Sequence, residues 1–108
     1  MAGFPSPGRY TVQAVTAGAD LIASLYATGG DVYVGNVSII CTKIVSAYAV
    51  VGIPVVQSSA IDVTRSGNID TSAYNPPLRI PIGQSYSILW AGAADQTASM
   101  SVTIVGAS

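Results

Sequence analysis

Apolar and polar residues alternate in short runs along most of this chain, and the alternation is clearest near its C-terminus. There Ala98, Met100, Val102 and Ile104 interleave with Ser99, Ser101 and Thr103, the period of two that gives a strand one core face and one solvent face. The same rhythm runs through Tyr10, Val12 and Ala14 against Thr11 and Gln13. Leu21, Ala23 and Leu25 alternate with Ile22, Ser24 and Tyr26, although Ala and Leu also allow a short helical turn here. Val32 to Cys41 predicts a longer strand with Tyr33, Val37, Ile39 and Cys41 on one face and Asn36 and Ser38 on the other. Gly35 interrupts that strand as a bulge would. Ile44 to Val51 is partly apolar on both faces, as in a strand covered on both sides. Val55-Val56 and Ala60 to Thr64 predict two more short strands. Leu78, Ile80 and Ile82 then alternate around Pro81, whose missing N–H suits a sheet edge, and Tyr86, Ile88 and Trp90 share a core-facing side.

Turn residues punctuate these runs. Ala17-Gly18-Ala19-Asp20, Gly52-Ile53-Pro54, Ile82-Gly83-Gln84 and Gly92 to Gln96 each predict a reversal, and Gly29-Gly30-Asp31 predicts a tight hairpin. The last two strands, on either side of Gly92 to Gln96, are expected to pair as a hairpin. Arg65 to Pro77, with Gly67, Asn68, Asp70, Asn75 and Pro76-Pro77, predicts a long irregular loop. Met1 to Arg9 holds Pro5 and Pro7 without periodicity and predicts an extended arm. The expectation is all-β: an arm over residues 1–9, then one antiparallel, jelly-roll-like β-sandwich over residues 10–108, built from seven to eight short strands.

Charge changes the picture. Half of the 108 residues are apolar, only 8 % are charged, and the net charge is −1, whereas about a quarter of an ordinary domain is charged. Self-repulsion therefore does little to disperse this protein, which points to a permanent assembly or to a surface covered by Ser and Thr. Four basic residues cannot guard every sheet edge, so neighbouring subunits are expected to cover some of them.

Catalysis is disfavoured on composition. The chain has no histidine, which removes Ser-His and Cys-His nucleophile pairs. Its carboxylates are five scattered aspartates, Asp20, Asp31, Asp62, Asp70 and Asp95, without glutamate. Lone turn aspartates ordinarily bond backbone, and no Asp-x-Asp-x-Asp spacing marks a cation site, so neither cofactor nor metal is expected. Cys41 is the sole cysteine and sits in an apolar run, where it reads as a buried thiol. Gly29-Gly30 lacks the Lys and Ser/Thr of a phosphate loop. Arg9, Lys43, Arg65 and Arg79 form no basic stripe for nucleic acid. Residues 44–61 are uncharged, but Ser46, Tyr48, Gly52, Pro54, Gln57, Ser58 and Ser59 break them, so no membrane span is expected. The N-terminus lacks the basic start and apolar stretch of a secretory leader, so synthesis and retention in the cytosol are expected.

Three segments carry a family resemblance: Val32 to Ile40 (VYVGNVSII), Pro77 to Trp90 (PLRIPIGQSYSILW) and Thr97 to Gly106 (TASMSVTIVG). The last two resemble the ending of small β-sandwich or jelly-roll virion proteins of tailed bacteriophages, the head decoration or cement proteins: a basic strand, a Gly turn, an aromatic strand, a loop and a Ser/Thr strand. The resemblance is one of pattern and covers most of the chain. It implies a non-enzymatic protein, often trimeric, that sits on the capsid surface of the virion, binds the major capsid protein and reinforces the shell, in some cases through an N-terminal arm. Such a protein is made in the host cytoplasm. Phe4, Pro5, Pro7 and Arg9 of the arm and Tyr74 of the irregular loop are the candidate partner-binding residues. A carbohydrate- or receptor-binding module of adhesin or fibre-tip type is the alternative, and a self-polymerising filament subunit a third reading.

Overall fold

A computed structural model of the protein describes residues 7–52, 60–64 and 69–107. The alternating runs become nine strands among those residues: β1 (Gly8–Gln13), β2 (Val15–Ala17), β3 (Asp20–Tyr26), β4 (Val32–Cys41), β5 (Ala47–Val51), β6 (Ala60–Thr64), β7 (Ile69–Ile80), β8 (Ser85–Trp90) and β9 (Ala98–Ala107). They build two antiparallel sheets, one ordered β1-β9-β4-β7 and the other β2-β3-β8-β5-β6. The sheets pack face to face as the expected β-sandwich, because each alternating strand has a single apolar face to bury. β1 and β2 are nearly continuous, and the chain passes from one sheet to the other at Ala14. This crossing is why nine strands form where seven to eight were expected.

Pairing is nested from the chain ends inward: β1 with β9, β3 with β8, β4 with β7, and β5 with β6. Two further ladders, β4 with β9 and β5 with β8, join these pairs into sheets. Trp90, Tyr86, Met100, Val34, Val102, Ile104 and Ile80 fill the space between the sheets and are fully buried. Cys41 lies among them as a free, buried thiol. The residues read as core on β8 and β9 are core: Tyr86, Ile88 and Trp90, then Ala98, Met100, Val102 and Ile104.

Several expectations are corrected by pairing across the sheets. Leu21 to Tyr26 is the expected strand, but the turns after it differ. Gly29-Gly30 and Gly92 to Gln96 do not close hairpins. The first links β3 to β4 and the second β8 to β9, and each links strands of different sheets. Both partners of each link have apolar faces that must meet across the core, which forces an arch where the turn residues alone suggest a hairpin. Ala17 to Asp20 does close a two-residue hairpin, with Gly18 at φ 67°.

The bulge at Gly35 is real and reverses the expected phase of half a strand. The register of β4 shifts between Val34 and Asn36 against both neighbours. Val32 and Val34 therefore face the core together with Val37, Ile39 and Cys41, and Tyr33, expected on the inner face, turns outward and is only half-buried. Strict alternation is lost where one strand carries an extra residue.

The long irregular loop is also corrected. Residues 69–77 belong to the twelve-residue strand β7, with a cis Asn75-Pro76 peptide. Ala73 pairs Asn36 and Leu78 pairs Val34, so residues 74–77 stand opposite the single residue Gly35. β4 offers a ladder on both sides of this interruption, and β7 lies at the sheet edge, where proline leaves no central hydrogen bond unmade. At the other end of the chain, Gly8 and Arg9, expected in the arm, pair Ile104 and Thr103 as the start of β1. The Val55-Val56 strand and the arm residues before Pro7 lie outside the described residues.

Candidate functional site

The two outer surfaces of the sandwich have different chemistry. On the four-stranded sheet the solvent-side positions of β1, β9, β4 and β7 line up in cross-strand rows, because the registers are continuous through Thr11↔Ser101, Ser38↔Ser101 and Ser38↔Thr71. That row carries a hydroxyl on every strand. Thr11 and Ser101 bond at 3.2 Å, and Ser38 and Thr71 at 3.4 Å. The next row runs Arg9, Thr103, Asn36, Ala73 and the one on the other side Gln13, Ser99, Ile40. This face is broad and nearly neutral, with Arg9 its one charge in these three rows, and its hydroxyls both donate and accept.

The five-stranded sheet differs at its centre. Every residue of β8, Ser85 to Trp90, is buried, so both faces of its central strand are covered. Ser24 and Ser87 bond through their hydroxyls at 2.8 Å, and Ser85 lies 3.4 Å from both Ser87 Oγ and the Gly52 carbonyl. Beside this sheet, on the flank where β1 passes into β2, an open groove of about 440 Å³ is lined by Val12, Gln13, Val15, Ile22, Ser24 and Tyr26. Val15 is 66 % and Tyr26 53 % exposed there.

The aspartates hold loops in place. Asp31 Oδ1 accepts from Ile82 N–H at 2.9 Å and its Oδ2 from Arg79 Nε at 2.8 Å. The Ile82 bond first, and then the Arg79 guanidinium, hold the Asp31 carboxyl below its ordinary range; Asp31 in turn raises Arg79. This corner ties the end of β7 to the start of β4. At the opposite end Asp20 Oδ1 accepts from Gly92 N–H at 2.8 Å, and Thr42 Oγ1 accepts from Thr97 N–H at 3.0 Å. Asp31 and Asp20 thus act across loops, which turn chemistry alone did not reveal. Among the described residues no three His, Cys, Asp or Glu side chains gather as a metal would require.

The candidate partner-binding residues do not converge. Phe4 and Pro5 lie outside the described residues, and Pro7 is exposed at a bend ahead of β1. Arg9 is exposed on β1, whereas Tyr74 belongs to β7 at the other edge of the same sheet. Tyr74 is half-buried and packs against the core: its hydroxyl bonds the Tyr86 hydroxyl at 2.8 Å and the rings meet edge-on, centroids 6.1 Å apart. The hydroxyl row is the feature that strand-by-strand reading missed. Its signal was present in the Ser/Thr alternation, but the row exists only once the registers are known.

Protein-family models, curated proteins and solved structures were all compared with this chain, and none matches it.

Proposed function

We propose that this chain is a non-enzymatic virion structural protein, a decoration or cement protein that lies on a capsid surface and stabilises the shell by contacts with the major capsid protein and with copies of itself. The neutral hydroxyl face of the four-stranded sheet carries this reading. A protein that must lie against a large protein surface benefits from a flat face of short side chains, which lose little conformational freedom when covered and bond main-chain and side-chain groups of either polarity. The low charge of the whole chain agrees with a surface that is met by other protein. The nested strand order supports a jelly-roll sandwich. The reading places the protein on the virion, after synthesis in the host cytoplasm.

Co-sedimentation with empty capsids of the phage that encodes the protein tests this. Binding should be saturable, should raise the shell's dissociation temperature, and should weaken when Ser38→Lys and Ser101→Lys place cations in the hydroxyl row. Absence of binding, or binding that the paired substitutions leave unchanged, overturns it. The carbohydrate- or receptor-binding alternative drew on Tyr74, whose hydroxyl is engaged by Tyr86.

A further inference from the structure

The strands at the sheet edges differ in how they are guarded against pairing. β7 contains Pro76 and Pro77, and its register with β4 is broken between Ala73 and Leu78. The ladder of β6 with β5 is broken by a register shift, and β2 is three residues long. β1 contains neither proline nor bulge, and its register with β9 runs unbroken from Gly8 to Gln13. Regular edges of this kind, with one charge, Arg9, along their length, are templates for another strand. The outward direction of its main chain follows from one bond. Ala14 N–H donates to the Ala98 carbonyl at 2.9 Å, so Val12 and Tyr10, in step with Ala14, turn their main-chain groups to β9, and Arg9, Thr11 and Gln13 turn theirs to the edge that no strand among the described residues occupies.

We propose that β1 pairs antiparallel with β1 of a second copy about a two-fold axis at Thr11, joining the two four-stranded sheets into one continuous sheet. The segment is self-complementary in that register. Thr11 faces Thr11 of the copy, and Arg9 faces Gln13, so the positive charge meets a neutral amide and never its own kind. Tyr10 faces Val12 on the inner side, an aromatic and β-branched pair of the type that stabilises antiparallel strands. The Arg9–Gln13 pairs and the central Thr11 pair each exchange both main-chain hydrogen bonds, because all three residues point to the edge.

Two further observations favour a second copy as the occupant. The groove containing Val15 and Tyr26 lies on this same flank and shares Val12 and Gln13 with β1, so side-by-side packing covers exposed apolar surface as well as the edge. The far edge of the joined sheet is β7, whose prolines stop further addition, so the pairing closes as an isologous dimer and does not run on into a filament. The pairing also extends the hydroxyl row across both copies. It stands on β1 alone and holds whether or not the protein binds a capsid; its two-fold symmetry departs from the trimer implied by the phage resemblance.

Sedimentation velocity of the full chain at micromolar concentration should show a dimer. Thr11→Pro removes an N–H that points away from β9, so it should leave circular dichroism and melting unchanged while converting the dimer to monomer. Should that variant fail to fold, the neighbouring position decides: Gln13→Glu is expected to tighten the dimer and Gln13→Arg to loosen it, each by about fivefold at low salt. A monomeric or trimeric parent, a dimer that folded Thr11→Pro leaves intact, or a dissociation constant indifferent to the charge at position 13 overturns the proposal.

Discussion

Serine occupies both sheets of this sandwich, and it does opposite work in each. Ser38 and Ser101 of the four-stranded sheet lie half-buried on an outer face and contribute to a row of hydroxyls open to a partner. Ser85 and Ser87 of β8 are 0 % exposed and bond one another, Ser24 and the Gly52 carbonyl. One sheet is built with a core face and a surface face. The other is covered on both sides at its central strand. The difference teaches that the same hydroxyl is part of the fold where its partners are internal, and part of a surface where they are not.

The largest test of that contrast lies at the core contact of β8. Trp90 is fully buried and pairs both Leu21 and Ala47, so Trp90→Ala removes the largest side chain between the sheets. A loss of about 3–5 kcal/mol is expected, which lowers the melting temperature by roughly 15 °C or more in a domain of this size. Urea denaturation followed by circular dichroism measures it. A loss below about 1 kcal/mol, the size of an ordinary surface change, would show that β8 is not the spine of the sandwich.

How much of this contrast was legible in the sequence follows from which interactions are local. Alternation identified β9 and the inner residues of β8 correctly, because a half-buried strand writes its environment at every second position. It misassigned Tyr33, because the extra residue at Gly35 is absorbed by cross-strand register, and register is not a property of one strand. It read residues 69–77 as loop from Asn75 and Pro76-Pro77, where the ladder offered by β4 outweighed local turn chemistry. The hydroxyl row was visible only as separate Ser and Thr positions. The place of Tyr74 was unreadable, since its partner Tyr86 lies on another sheet.

The bulge itself is the next test. A Cβ added at Gly35 would come within 2.6 Å of Val105 Cγ1, and Val105 is the extra residue of β9 at the adjoining register shift, between Tyr33 and Val34. Gly35→Ala should therefore cost about 1 kcal/mol through overpacking. Val105→Ala in the same chain should recover most of it, since the clash is with that side chain alone; a double-mutant cycle by thermal melting reads the coupling. Independent, additive effects would mean that Gly35 is required by its backbone and not by the close approach.

The serine contrast is addressed directly by one substitution in each sheet. Ser87→Ala leaves the Ser24 hydroxyl without its 2.8 Å partner in a partly buried place, and should cost about 1 kcal/mol. Ser101→Ala loses a 3.2 Å bond to Thr11 on the open face and should stay within about 0.5 kcal/mol. Equal costs in the two sheets would remove the distinction between internal and surface hydroxyls.

The smallest effect, and the one that acidification removes, belongs to the corner that joins β7 to β4. The Asp31 carboxyl is held below its ordinary range by the Ile82 N–H and then by Arg79. A carboxylate with a depressed folded pKa stabilises the native state fully above its unfolded pKa of about 3.9, and that stabilisation is lost as pH falls through the lower folded value. Asp31→Asn keeps an oxygen to accept from Ile82 N–H but removes the charge that Arg79 meets. Melting curves of parent and variant should therefore stay separated, with the parent the more stable, from neutrality down to about pH 4, and converge only as pH falls below that through the lower folded value. The separation should shrink in high salt, because Arg79 is 58 % exposed and its attraction to Asp31 is screened. A gap that persists undiminished at low pH would assign the corner's contribution to packing, and would make this link between β7 and β4 a matter of shape and not of charge.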